Sequence, residues 1–149
     1  MVHYVIFIVN KNGQLMFYRP LSSDSAGMFD ADRALRLAST FHTMHSISSQ
    51  ICPKPLSDRP KAIAGSHLLD GIDAVYADTF KLKALQTLTG IKMFIVSSWD
   101  EEEFEMEEFL KEVYVYYSDY WQKNPFSQED QPIKSDKFRE ALQEKIDNM

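Results

Sequence analysis

The chain has 149 residues, 44% of them apolar and 26% charged, proportions of a soluble globular protein with a core of its own and not of a disordered segment. The length suits one domain, so a single domain over residues 1–149 is expected. A formal net charge of -6 excludes a whole-surface footprint for nucleic acid or for anionic lipid.

Cys52 is alone in the sequence, so no internal disulfide is expected. The N-terminus enters an apolar pattern without a basic stretch or a cleavage site, and no apolar run nears the roughly 20 residues that cross a bilayer: Val5 to Val9 stops at Asn10, and Ile91 to Val96 stops at Ser97. A cytoplasmic protein is expected, with membrane contact only indirect.

Val2 to Val9 is a dense β-branched and aromatic run, as in a strand covered on both faces. Asn10-Lys11-Asn12-Gly13 supplies turn chemistry before a second strand, Gln14 to Arg19. After a loop over Pro20 to Phe29, Asp30 caps a predicted helix whose apolar spacing runs through Ala34, Leu37, Ala38, Phe41, Met44, His45 and Ser48 and ends near Ile51. Cys52 to Gly71, with Pro53, Pro55, Pro60, Gly65 and Gly71, reads as a long surface loop.

Ile72 to Ala77, Phe80 to Thr87 and Ile91 to Ser97 are predicted strands of a meander, with turns at Asp78-Thr79 and Leu88-Thr89-Gly90. The acidic run Asp100 to Glu108 feeds a long helix with Met106, Phe109, Leu110, Val113, Tyr116, Tyr117 and Tyr120 on one stripe, stopped at Asn124-Pro125. A short helix over Asp136 to Asp147, capped by Ser135, closes the chain. The order is α+β: an antiparallel sheet with helices on its faces.

Catalytic constellations are not found. Gly13, Gly27, Gly65, Gly71 and Gly90 are scattered, so no phosphate-cradling loop is spelled out, and no nucleophile elbow occurs. His42 and His45 share a helix but lack a third ligand, and nothing near Cys52 lowers its pKa. The acidic run lacks the ligand alternation of an EF-hand loop; it suits a solvated helix entry, with calcium or a basic partner as the alternative. No catalytic residue, cofactor or metal is therefore expected.

Tyr114, Tyr116, Tyr117, Tyr120 and Trp121 span most of the second helix's circumference. Either some meet a partner, or the helix is buried between the sheet and the C-terminal segment. On the first helix the polar flank Thr40, Thr43, Ser46, Ser49 and Gln50 lacks strong charge and is cheap to desolvate. The candidate partner-binding residues are these five together with Tyr114, Tyr117, Trp121, Asn124 and Phe126.

Ala77-Asp78-Thr79-Phe80-Lys81-Leu82 running into Gln86-Thr87-Leu88-Thr89-Gly90-Ile91-Lys92 resembles the synbindin-type (sybindin-like) small subunits of the TRAPP vesicle-tethering complex. Phe41-His42-Thr43-Met44-His45-Ser46-Ile47, Lys123-Asn124-Pro125-Phe126 and Gln131-Pro132-Ile133 agree in order and spacing. The resemblance implies a longin-like fold, a five-stranded antiparallel sheet with one helix on one face and two on the other. It implies a non-catalytic core subunit in ER-to-Golgi transport, peripheral at the cis-Golgi. Its partners would be the other TRAPP small subunits and, through the complex, a Rab1/Ypt1-type GTPase whose nucleotide the assembly exchanges. Animal members carry a PDZ-like insertion between the second strand and the first helix, for which Pro20 to Phe29 is too short. The competing readings are another longin-like trafficking adaptor or SNARE-regulatory subunit, and a small enzyme with a deep pocket.

Overall fold

The computed structural model describes residues 3–22, 27, 30–51, 72–87, 90–100, 102–126 and 132–148. The expected loop Cys52 to Gly71 lies outside them, as do most of the loop Pro20 to Phe29, Leu88 and Thr89 of the expected turn, and Glu101 of the acidic run.

Five strands, β1 (His3–Val9), β2 (Leu15–Pro20), β3 (Ala74–Tyr76), β4 (Lys81–Gln86) and β5 (Lys92–Ser97), form one antiparallel sheet in the order β2-β1-β5-β4-β3. The hairpin and the meander predicted from turn chemistry are both present. They join because β1 and β5, the two most continuous apolar runs, pair with each other (Phe7 opposite Phe94). Such runs need cover on both faces, which only the centre of a sheet provides. Val5 to Val9 are accordingly fully buried.

Alternation along the strands separates two cores. Val5, Phe7, Val9, Leu82, Ala84 and Phe94 face α1 (Ala31–Ile51). Ile6, Ile8, Met93 and Ile95 face α2 (Glu103–Tyr117) and α3 (Asp136–Asp147). The fold is thus α+β, with one helix on one face and two on the other. Under α1 the rings of Phe41, Phe94 and Phe7 stack in file, 4.2 and 4.8 Å between centroids.

Local chemistry sets the boundaries. In the β1–β2 turn the Asn10 side-chain oxygen accepts from the backbone N–H groups of Asn12 (3.0 Å) and Gln14 (2.8 Å). Gly13 takes φ +87, and a Cβ there would sit 2.6 Å from the His42 ring, so both the conformation and the close approach require glycine. Asp30 caps α1 by accepting from Arg33 N (2.7 Å), and Ser135 caps α3 by accepting from Phe138 N (3.3 Å).

The expected buried stripe of α1 is narrower than its apolar spacing. Ala34, Ala38, Phe41 and His45 are buried, whereas Leu37 and Met44 are 38% exposed. The two alanines bring the helix axis close to the sheet. At about 100° per residue, Leu37 and Met44 then fall on the flank of the contact line.

Candidate partner-binding surface

The outer flank of α1 is built from residues that need no charge to be solvated. Leu37, Met44, Ile47 and Ile51 recur at seven- and three/four-residue spacing and are 38%, 38%, 51% and 72% exposed, a single apolar stripe along the helix. Thr40 lies on the same stripe. Its hydroxyl donates to the Arg36 carbonyl (2.8 Å), and the Thr43 hydroxyl donates to the Ser39 carbonyl (3.0 Å). Both hydroxyls therefore enter an interface with a bond already made. The first turns of α1 carry exposed Asp32, Arg33 and Arg36, but from Leu37 to Pro53 the sequence has no Lys, Arg, Asp or Glu, so covering the helix from Leu37 onward desolvates no formal charge of its own.

Of the other polar residues expected here, Thr43 and Gln50 are exposed and Ser46 is half-buried. The side chain of Ser49 lies outside the described residues. The expectation named the polar flank and missed the apolar stripe beside it, because Leu37 and Met44 had been assigned to the core. The readable signal was that helix α1 carries more apolar positions than one face holds.

The candidates on the second helix divide. Tyr114 is 36% exposed, Phe126 89%, and Asn124 is half-buried with its side-chain oxygen accepting from Phe126 N (3.0 Å). Tyr117 and Trp121, expected at a partner surface, are instead 3% and 8% exposed inside the α2/α3 core. Tyr117 continues the buried stripe Met106, Phe109, Leu110 and Val113, and a π-helical turn follows it over Ser118–Gln122, marked by Lys123 N donating to the Ser118 carbonyl (3.2 Å). Trp121, four residues after Tyr117, stays on the same face through that turn and joins the same core. Tyr116 and Tyr120 pack at the margin of that core, so the structure favours the buried reading for most of this aromatic group.

A second exposed aromatic cluster, with no periodic signal in the sequence, lies beside the start of α2. Tyr76 and Trp99 stack with centroids 6.1 Å apart, and the Lys81 ammonium lies 5.1 Å from the Trp99 ring centroid. The Tyr76 hydroxyl donates to Glu103 at the start of α2, and neighbouring Phe104 is 65% exposed. Asp100, Glu102, Glu103 and Glu105 are exposed around it, the solvated helix entry expected of the acidic run.

The histidine pair is packed. His42 Nδ1 is 3.4 Å from Lys92 Nζ, and His45 Nδ1 accepts from Ile72 N at 3.2 Å. Burial, and next the Lys92 charge, lower the pKa of both. Among the described residues no three His, Cys, Asp or Glu side chains gather as a metal site, and no helix is long and apolar enough to cross a membrane.

The architecture is a five-stranded antiparallel sheet covered by helices on both faces, with an exposed apolar stripe on α1. Residues 3–149 match the Sybindin-like family, and the chain belongs to it. It is similar to "Trafficking protein particle complex subunit 4" of Dictyostelium discoideum, 34% identical over 89% of this chain and 87% of that protein. The proteins of that name from Homo sapiens and Bos taurus are 35% identical over 75% of this chain. The chain aligns with 45% of the length of those two relatives. Among solved structures, a Roadblock/LC7 domain from Streptomyces avermitilis superposes with TM-score 0.49 at 15% identity, covering 76% of this chain and 84% of that one.

Proposed function

We propose that this chain is a non-catalytic core subunit of the TRAPP vesicle-tethering complex, folded as one domain over residues 1–149, acting in ER-to-Golgi transport at the cis-Golgi. Family membership supports the complex. The observation that carries the docking role is the exposed apolar stripe Leu37, Met44, Ile47 and Ile51 on the stretch of α1 that has no charged residue from Leu37 onward, a composition suited to the centre of a protein interface. Its occupant is a sister small subunit.

The assembly exchanges nucleotide on a Rab1/Ypt1-type GTPase by binding the nucleotide-free form more tightly than the loaded form. This is a difference of affinities and requires no proton transfer from the chain. Reconstituting the small-subunit core with and without this chain, and following release of labelled GDP from the cognate GTPase, tests the reading. Release slows when the chain is omitted; an unchanged rate removes the exchange role.

A further inference from the structure

A β-bulge in β2, where the pairing with β1 slips between Ile8 and Val9, turns both Met16 and Phe17 toward the α2/α3 core and leaves Arg19 directed at α3. One guanidinium nitrogen of Arg19 donates to the Arg139 carbonyl (3.4 Å) and another to the Gln143 side-chain oxygen; Gln143 in turn donates to Asp147 (2.6 Å). The guanidinium is thereby held in place before any ligand arrives, and among the described residues its remaining N–H donors have no further partner.

Beside it residues 132–134 run along β2, pinned by Ile133 N donating to the Met16 carbonyl (2.9 Å). Between the two lies a cleft of about 360 Å³ with Met16, Phe17 and Ile133 on its apolar side and Arg19, Lys134 and Arg139 supplying three cations. Among the described residues no carboxylate lines it. Among the described residues none of the three cations is in an ion pair, although the whole chain carries a formal charge of -6. Four other lysines, Lys83, Lys111, Lys123 and Lys145, each meet a carboxylate. Cations gathered on one cavity without a counter-charge repel one another until an anion sits among them.

We propose that this cleft binds a phosphate monoester. Arg19 and Arg139 present planar forks matched to phosphoryl oxygens, Lys134 adds a point charge, and the apolar side takes the body that carries the phosphate. A dianion suits three cations better than a single carboxylate does. The phosphate can come from a lipid headgroup or from a soluble ester, and the chemistry of recognition is the same.

The test uses the full chain. Inorganic phosphate is titrated while the Nε–Hε resonances of Arg19 and Arg139 are followed by NMR, and flotation is measured with phosphatidylcholine vesicles with and without phosphatidylinositol monophosphate. Phosphate shifts both resonances, and Arg139→Glu or Lys134→Glu, both at exposed positions, weakens phosphate binding about tenfold or more. Flotation that requires the phosphoinositide and is lost in either variant assigns the headgroup; a phosphate response without flotation assigns a soluble ester. Absence of any phosphate-induced shift, or binding that survives both charge reversals, overturns the proposal.

Discussion

His45 shows how one buried side chain ties two segments together. It reaches from α1 to accept the backbone N–H of Ile72 at the start of the meander, and its ring centroid lies 6.0 Å from that of Phe41. Burial is the main cause that lowers its pKa, followed by the Lys92 charge; the Gln86 hydrogen bond partly opposes them, and His42 adds a small push downward. A histidine with a folded pKa below its unfolded value of about 6.5 binds fewer protons when folded. Its contribution to stability is complete above that value and is lost as pH falls through the folded pKa. The urea midpoint therefore drops between about pH 7.5 and about pH 5.5, and His45→Gln, which cannot charge, flattens that drop. A midpoint with the same pH dependence in both proteins contradicts this account. The sequence placed His45 on the buried stripe correctly but gave no hint of Ile72 or Lys92, since both contacts depend on how the sheet folds back under α1.

At the scale of the elements, α2 is the instructive case. Its existence, its acidic entry and its stop near Asn124-Pro125 were legible from periodicity and punctuation, as were the two capping residues Asp30 and Ser135. The π-helical turn at Ser118–Gln122 was not, because one additional residue in a turn leaves no mark in composition and shifts the phase of every later side chain. Tyr117 precedes that turn and is buried by the stripe it shares with Met106, Phe109, Leu110 and Val113, and Trp121, four residues on, stays on the same side. Trp121→Ala lowers unfolding free energy by about 3 kcal/mol, at the lower edge for a large aromatic that keeps a small exposed edge. Phe126→Ala, at a side chain 89% exposed, changes it by less than about 0.5 kcal/mol. Chemical denaturation of the two variants checks the pair; equal effects would contradict the placement of Trp121.

For the whole molecule, fold class followed from the element order, and the central position of β1 and β5 follows from their unbroken apolar runs. What sequence alone did not settle was which leftover apolar residues of α1 face outward. Seven positions at helical spacing competed for one contact line, and the small volumes of Ala34 and Ala38 decided the outcome by drawing the helix down along them. Leu37, Met44, Ile47 and Ile51 remain on the outer side of α1, exposed among the described residues. The proposed docking role requires that this stripe is what sister subunits bind. The direct measurement is the affinity of the full chain for the purified sister small subunits, with wild type compared against Met44→Asp combined with Ile47→Asp. The variant folds with stability within about 1 kcal/mol of wild type but binds roughly thirtyfold or more weakly, the loss expected for an anchor at an interface centre. Wild-type affinity in the folded double variant would show that α1 is not the docking face.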